Sequence, residues 1–366
     1  MATLEAMGWD GGWAHAFAAL HGLDGLAPAR VVAAQRDAWQ VVGDVGQLTA
    51  GIAGRLRSAA LGAADMPAVG DWVAIEPRPA EGSATIAAVL PRRSALSRTA
   101  GESGRRTAAD AQVLAANIDT VYVVAGLDLD LNLARLERYL TVAWSSGALP
   151  VILLNKADID DRLEEHRAAV EAIAPGVDVL IISAREGIGL DGVRERLAPA
   201  TTAIVIGSSG VGKSTLMNAL LGEARQETAA VREDDSRGRH TTVSRELVSL
   251  PGGALLIDTP GLRSLSVAGA DVGMADAFAD IEGLAESCRF RDCGHRGEPG
   301  CAVAGAVAEG VLDARRLASY HKLEREIAML ARRADPIAAR AERRRWATIG
   351  KSVAVHMRAK YGADDR

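Results

Sequence analysis

Two nucleotide-binding motifs of this 366-residue chain occur in an unusual order. The sequence NKAD at 155–158 precedes the glycine-rich loop GSSGVGKS at 207–214, and DTPG at 258–261 follows that loop. In an ordinary GTPase the glycine-rich loop comes first and the base-recognition motif comes last. The set of motifs is therefore complete but rotated along the chain, which predicts a circularly permuted nucleotide-binding domain.

The glycine-rich loop matches the pattern G-x-x-x-x-G-K-[ST] and lies between a predicted strand, TAIVIG, and a predicted helix, KSTLMNALL. Its glycines let successive N–H groups face the phosphates, and the helix N-terminus adds a favourable dipole. Lys213 is predicted to bind the β- and γ-phosphates, and the Ser214 hydroxyl is predicted to bind Mg²⁺. The nucleotide contacts predicted in this segment are Gly207, Ser208, Ser209, Gly210, Val211, Gly212, Lys213, Ser214 and Thr215.

The NKAD motif predicts that the base is guanine. The Asp158 carboxylate can accept hydrogen bonds from both N1–H and the exocyclic amine of guanine, a pair of donors that adenine does not offer. We expect Asn155 to fix the loop and the alkyl stem of Lys156 to cover the base. Ser183 ends the predicted strand VDVLIIS and Ala184 follows it, and this pair is expected to meet guanine O6 through a backbone amide. GTP and GDP are therefore favoured over ATP.

Residues 223–243 and the DTPG motif resemble the nucleotide-sensing segments of a GTPase. Asp258 is placed to hold Mg²⁺ through water, and the Gly261 amide to sense a γ-phosphate. In the sequence GRHTT at 238–242, Thr242 is our first choice for closing on Mg²⁺ and the γ-phosphate, and Thr241 is the second.

A leucine stands where Ras-type enzymes carry the glutamine that orients the attacking water. Leu262 can neither donate nor accept a hydrogen bond, so we expect slow hydrolysis without a partner. His240 is the best local candidate for positioning water, and the alternative is an ordinary exposed loop histidine. A macromolecular partner that orders this segment would then trigger hydrolysis.

All three cysteines of the chain lie close together near its C-terminal end. Cys288, Cys293, His295 and Cys301 form the pattern C-x₄-C-x-H-x₅-C, which matches a closed four-ligand structural zinc site. An odd, tightly spaced cysteine set argues against a disulfide framework. The alternative is three free thiols without a metal.

The N-terminal third predicts a small barrel. The runs RVVAAQ, WQVVGD, LTAGIAGRL, DWVAIEP and TIAAVLP between residues 30 and 92 are short and β-rich. Five such strands fit an OB-fold, with an SH3-like barrel as the competitor. Trp9, Trp13, Phe17 and Leu20 have helical spacing, and packing on a neighbouring domain is favoured over a binding role. We expect residues 97–112 to form an exposed mobile loop.

Alternating strands and helices follow from 119 to 267, and their strands are almost uniform runs of Val, Ile and Leu. That pattern predicts a mainly parallel sheet with helices on both faces, a three-layer α/β/α domain. SRELVSL and ALLIDT are predicted to form a strand pair. Residues 274–366 are predicted to be helical apart from the cysteine segment.

Charge is unevenly distributed in a chain whose net charge is −5. Residues 331–360 hold nine Arg or Lys against two acidic residues. Such a patch can bind phosphate backbones, and the alternative is a solvated helix face. The sequence contains no stretch of about 18 apolar residues, so no membrane span is predicted. The N-terminus also lacks a secretory pattern, and we therefore expect a cytoplasmic protein.

Together these motifs resemble the RsgA/YjeQ family, circularly permuted GTPases that act on the bacterial small ribosomal subunit. The resemblance covers about residues 30–330 and rests on the motif order, GRHTT, DTPGLRSL, ANID at 116–119 and FRDCGHRGEPGCAV. It implies an OB-fold at 30–112 after a helical extension at 1–29. A circularly permuted P-loop GTPase at 113–272 and a helical zinc-binding domain at 273–366 with a basic C-terminal segment would follow.

The resemblance also implies a role in late maturation of the small subunit, with GTP hydrolysis stimulated by that subunit and coupled to release. It matches His240 to the family's proposed catalytic histidine, with Lys213 and Thr242 beside it in the hydrolytic site. The implied partners are the small subunit and its rRNA, and we expect a monomer. The residues alone leave two alternatives: a nucleotide-holding RNA-binding scaffold with incidental hydrolysis, or a GTP-dependent RNA or metal chaperone.

Overall fold

The first part of the chain forms a closed five-stranded barrel. The computed structural model describes residues 3–20, 25–35, 37–99, 111–128, 131–222, 245–258 and 270–334. The barrel strands are β1 (Ala27–Ala34), β2 (Trp39–Gly43), β3 (Gly46–Ile52), β4 (Trp72–Arg78) and β5 (Ser83–Val89). Strand β1 pairs with both β2 and β4 and so closes the barrel around Val31, Val41 and Ile75, which are fully buried. The OB-like barrel expected from the sequence is confirmed.

Two local predictions in this region were wrong in detail. The run LTAGIAGRL is a strand only as far as Ile52, and its last residues belong to helix α2 (Gly54–Ala59). The two ends of the expected loop at 97–112 lie in paired strands, β6 (Ala95–Thr99) and β7 (Ala111–Ala116), and residues 100–110 between them lie outside the described ranges. The buried side chains of Leu96 and Val113 anchor this strand pair, whereas its outward side chains are polar. The strands therefore lack a run of apolar residues by which the sequence could have indicated them.

A parallel sheet forms the middle of the molecule. Its strands are β8 (Thr120–Gly126), β9 (Leu149–Asn155), β10 (Asp178–Ile181), β11 (Thr202–Gly207), β12 (Arg245–Ser249) and β13 (Leu255–Asp258). They lie in the order β10-β9-β8-β11-β13-β12, and only β12 runs antiparallel to its neighbour β13. The predicted pairing of these last two strands is confirmed.

Helices cover both faces of this sheet. They are α3 (Leu133–Ser145), α4 (Leu163–Ile173), α5 (Leu190–Glu195) and α6 (Lys213–Leu221). Alternate residues of β8 enter different cores, because Val121 and Val123 pack with α3 and α4 whereas Tyr122 and Val124 pack with α5 and α6. Both faces of the sheet are therefore buried, as the uniform Val, Ile and Leu runs predict.

The barrel and the parallel sheet share an edge. Strand β12 pairs with β1 at Ala33–Glu246 and Ala34–Arg245, so one sheet of eleven strands runs through both. The Arg30 guanidinium, fully buried at this junction, donates to the Gly70 carbonyl in the barrel and to the Thr202 hydroxyl in the sheet. Burial lowers the Arg30 pKa to about 10, which still leaves the side chain charged at neutral pH.

The N-terminal extension packs on this junction. Helix α1 (Gly11–Ala18) begins at Asp10, whose carboxylate accepts a hydrogen bond from the Trp13 N–H at 2.9 Å. The Trp9 ring meets the buried Trp72 ring edge-on, with centroids 4.8 Å apart. The expectation that this helix packs on a neighbouring domain is confirmed.

The C-terminal part is helical and lies against α3. Its helices are α7 (Asp271–Ala277), α8 (Ala279–Ala285), α9 (Ala302–Ala308) and α10 (Ala314–Ala334). Helix α7 approaches α3 so closely that a Cβ on Gly273 would overlap the Thr141 carbonyl and the Ser145 hydroxyl. Among the described residues, no helix is both long and apolar enough to cross a bilayer.

Several predicted residues lie outside the described ranges. They are His240, Thr241, Thr242, Gly261, Leu262 and the basic segment beyond residue 334.

Candidate nucleotide site and cysteine–histidine cluster

The nucleotide motifs meet at one edge of the parallel sheet. Asn155, Gly207 and Asp258 are the last residues of β9, β11 and β13, and Ser183 follows β10 by two residues. Parallel strands present their carboxyl ends on the same side, which is where open α/β sheets bind ligands. Motifs more than a hundred residues apart thus form one site.

The glycine-rich loop connects β11 to α6. Gly207 pairs with Val124 of β8, and Gly212 has a φ of 95° immediately before the helix. A Cβ at Gly212 would overlap Asn155 Nδ2, so a glycine is required both for the backbone conformation and for this close approach. The Lys213 ammonium donates to the Gly207 carbonyl at 2.9 Å and also contacts the Ser208 carbonyl.

Asn155 connects the three parts of the site. Its Nδ2 donates to the Val211 carbonyl in the glycine-rich loop at 2.8 Å, and its Oδ1 accepts from the Ala184 N–H at 2.9 Å. The side chain is only 2% exposed, so these bonds are shielded from water. The sequence predicts a loop-fixing role for Asn155, and the structure shows which segments it joins.

Asp158 is exposed and oriented by Ser183. The Ser183 hydroxyl donates to Asp158 Oδ1 at 2.5 Å and holds the pKa of that carboxyl below its usual range. The carboxylate is therefore ionised at neutral pH, so a bound base meets a pure acceptor.

The four predicted metal ligands come together in the C-terminal part. The ligand atoms of Cys288, Cys293, His295 and Cys301 all lie within 4.8 Å of one another. His295 Nδ1 is 3.6 Å from the sulfurs of both Cys288 and Cys301, and those two sulfurs are 3.9 Å apart. Ligands placed tetrahedrally around zinc at its usual bond lengths are about 3.8 Å apart for two sulfurs and about 3.5 Å for sulfur and nitrogen.

Hydrogen bonds from backbone N–H groups to nearby side chains support the loop around this cluster. The Glu298 carboxylate accepts from the N–H groups of Gly294 and Arg296, at 3.1 and 2.7 Å. Cys301 begins α9 and its sulfur accepts from the Ala304 N–H at 3.3 Å. The cluster thus has the donors, spacing and local support to hold a metal ion with four protein ligands.

Comparison with known proteins places the chain in a family. A family profile described as RsgA GTPase matches residues 89–268. The chain is 47% identical to the small ribosomal subunit biogenesis GTPase RsgA of Opitutus terrae, covering 95% of this chain and 96% of that protein. It is 44% identical to the Streptomyces coelicolor protein of the same name, covering 98% and 96%.

The chain belongs to the RsgA GTPase family. Two solved structures share its fold. The crystal structure of YjeQ from Thermotoga maritima aligns with a TM-score of 0.61 at 24% identity, covering 83% of this chain and 99% of that one. YloQ, described as a circularly permuted GTPase, aligns with a TM-score of 0.57 at 22% identity, covering 84% and 97%. The permuted fold predicted from motif order is confirmed.

Sequence reasoning missed two residues at the candidate nucleotide site of this RsgA-family chain. Asp128, just after β8, forms an ion pair with Lys156 of the NKAD motif. Arg135, in the first turn of α3, donates from Nη1 to the Ser208 hydroxyl at 2.7 Å. Neither belongs to a local motif, and only their positions after β8, at the ligand-binding edge, would have pointed to them.

Exchange of Asp158 for Asn is expected to weaken GDP binding by roughly a hundredfold or more. The new amide would place a donor against the two donors of guanine, whereas xanthine, with an oxygen in place of the amine, would accept from it. Titration calorimetry with GDP and XDP measures both effects. Asp160→Asn is the matched control, because Asp160 faces His166 at 2.6 Å instead of the base side. Unchanged GDP affinity in the Asp158 variant would exclude this residue from base recognition.

Proposed function

We propose that this chain is a Mg²⁺-dependent GTP hydrolase that binds the small ribosomal subunit and assists its late maturation. The bridge made by Asn155 carries the proposal, because it ties the phosphate loop to the Ser183–Ala184 element at fixed hydrogen-bond distances. The relatives described above are named small ribosomal subunit biogenesis GTPases, which supports the choice of partner.

The phosphate end of the proposed site combines one cation with several oxygen ligands. Lys213 would neutralise the β- and γ-phosphates, and the Ser214 hydroxyl would bind Mg²⁺ directly. Asp258 ends the strand next to the loop, where its carboxylate would hold Mg²⁺ through water. Thr242, with Thr241 as the alternative, and the Gly261 amide would complete the contacts when GTP is bound.

The base end of the proposed site selects guanine. Asp158 would accept from N1–H and the amine, and the Ala184 N–H region would face O6. Lys156 has a left-handed backbone, with a φ of 72°, and its ammonium is held by Asp128. Its alkyl stem is thereby free to cover the base plane.

The hydrolytic step needs a group that positions water, since Leu262 stands at the glutamine position. We assign that role to His240, which would orient water towards the γ-phosphate once the small subunit orders the surrounding segment. Lys213 and Thr242 would stabilise the charge that develops on the transferred phosphoryl group.

The cysteine–histidine cluster fits one structural zinc ion. Three sulfurs and one imidazole supply four ligands, and zinc with four protein ligands has no position left for a substrate. When bound, zinc would cross-link the loop between α8 and α9. The basic residues of 331–360 would contribute contacts to rRNA phosphates in a protein that we expect to be monomeric and cytoplasmic.

GTP turnover with purified ribosomal subunits tests the proposal. We expect the small subunit to raise turnover by at least roughly tenfold, because activating partners of other GTPases raise turnover by more than that, and the large subunit to have no comparable effect. His240→Ala should remove most of that stimulation while leaving GDP affinity within about threefold. Equal stimulation by both subunits, or no stimulation by either, would refute the proposal that the small subunit is the partner. Full stimulation in the His240 variant would refute the histidine assignment alone.

A further inference from the structure

Helix α3 begins beside the phosphate loop. Its N-terminus is capped by Asn132, whose side chain accepts from the Arg135 N–H at 3.0 Å. This cap fixes the first turn and directs the half-buried Arg135 guanidinium to the Ser208 hydroxyl, 2.7 Å away. The contact joins segments that are 73 residues apart in the chain.

Ser208 is approached by two cations. Its hydroxyl accepts from Arg135, and its carbonyl contacts the Lys213 ammonium. Two positive groups held at one residue of a phosphate-binding loop raise the local positive potential, which favours an anion bound there. Because GTP brings more negative charge to such a loop than GDP does, this stabilisation is larger for GTP.

We propose that Arg135 is a positioning residue of the nucleotide site, which acts through Ser208 and makes the phosphate loop prefer GTP over GDP. This inference rests on the proposed binding of guanine nucleotides. Its physical basis is a charge-assisted hydrogen bond from a planar guanidinium, which is stronger and more directional than one from a neutral donor.

The same helix offers a matched control. Arg138 lies one turn beyond Arg135 but faces the C-terminal helices, where its guanidinium makes two bonds to Glu326 of α10 at 2.5 and 2.8 Å. Arg138→Gln therefore removes an arginine from α3 without touching the phosphate loop. General weakening of the helix would affect both variants, whereas the proposed role affects only one.

Titration calorimetry of the full chain with Mg²⁺, GDP and a non-hydrolysable GTP analogue tests the proposal. Arg135→Gln is expected to weaken binding of the analogue roughly tenfold and GDP by less than about threefold. Ser208→Ala should shift the preference in the same direction, and the double variant should be no worse than Arg135→Gln, because both changes break one contact. Arg135→Lys should recover part of the preference by restoring the charge.

Three results would overturn the proposal: equal losses for the two nucleotides, the same change of preference in Arg138→Gln, or additive effects of the Arg135 and Ser208 variants. They are distinct from a failure of the proposed function. In that case the unaltered chain would bind neither guanine nucleotide, or would bind ATP equally well.

Discussion

Loss of the metal from the cysteine–histidine cluster is expected to unfold the loop between α8 and α9 and to loosen the C-terminal helices. Besides the hydrogen bonds to Glu298, the loop has left-handed residues, such as His295 with a φ of 54°, and mostly polar side chains, so we expect a metal to supply much of its stability. Structural zinc sites supply an apparent binding free energy of about 10–16 kcal/mol, which is folding free energy for the segment they cross-link.

Cys301→Ala tests this most severely, because Cys301 both contributes a ligand and begins α9. We expect less than one zinc per chain by elemental analysis, rapid proteolysis between α8 and α9, and a lower Tm. GDP affinity should change by less than about threefold, since the four cluster residues belong to the loop between α8 and α9, whereas Asn155, Gly207 and Asp258 end strands of the parallel sheet.

Ser287→Ala is the control, since Ser287 is exposed and adjacent to Cys288 but supplies no ligand. It should retain metal and protease resistance. Purified chain without zinc and with the same protease resistance as Cys301→Ala would show that the cluster is three free thiols and a histidine.

The sequence determined the parts of the site that depend on local spacing. The eight residues at 207–214 specify a strand-to-helix loop by themselves, and the four candidate metal ligands lie within fourteen residues. In both segments the chemistry requires particular residue types at fixed short separations, and such local patterns are visible in the sequence itself. The order of the motifs along the chain then predicted the permuted fold.

Contacts between segments that are distant in the chain could not be predicted from local sequence patterns. The bond between Arg135 and Ser208 and the ion pair of Asp128 with Lys156 arise because parallel strands bring their ends together. Likewise, the tail of LTAGIAGRL turns into α2, although its residues alternate as in a strand. Tertiary packing decides these features, and the chain carries no local pattern for them.

Helix α3 is the element that joins the nucleotide site to the C-terminal helices. Its first turn contacts the phosphate loop, and the next turn presents Glu137 to Arg316 of α10 at 2.9 Å. The Arg316 guanidinium also makes two bonds to Asp280 of α8 and lies 4.6 Å from the centroid of the Phe278 ring. This arginine therefore connects three helices at one buried point.

Arg316→Met is expected to lower the free energy of unfolding by about 3–5 kcal/mol at pH 7. The reason is burial, because the side chains of Arg316 and Glu137 are only 4% and 3% exposed, and the variant leaves the carboxylate without its cation. Arg138→Gln should cost about 1 kcal/mol or less, since Arg138 and Glu326 are 30% and 26% exposed to solvent, which screens the pair. Urea unfolding of both variants, followed by circular dichroism, gives the comparison.

The pH dependence of the Arg316 deficit follows from Glu137. Burial already raises the pKa of this carboxyl, and Arg316 opposes that shift, so its removal raises the pKa further. A carboxyl whose pKa is higher in the folded than in the unfolded protein stabilises the folded state at pH values below its unfolded-state pKa. That contribution is lost as the pH rises through its folded-state pKa. The deficit of Arg316→Met should therefore be larger at pH 8 than at pH 5, and Glu137→Gln in the same background should reduce it at pH 8. A deficit that is independent of pH, or that the second substitution leaves unchanged, would show that Arg316 stabilises the helices by packing and not by its charge.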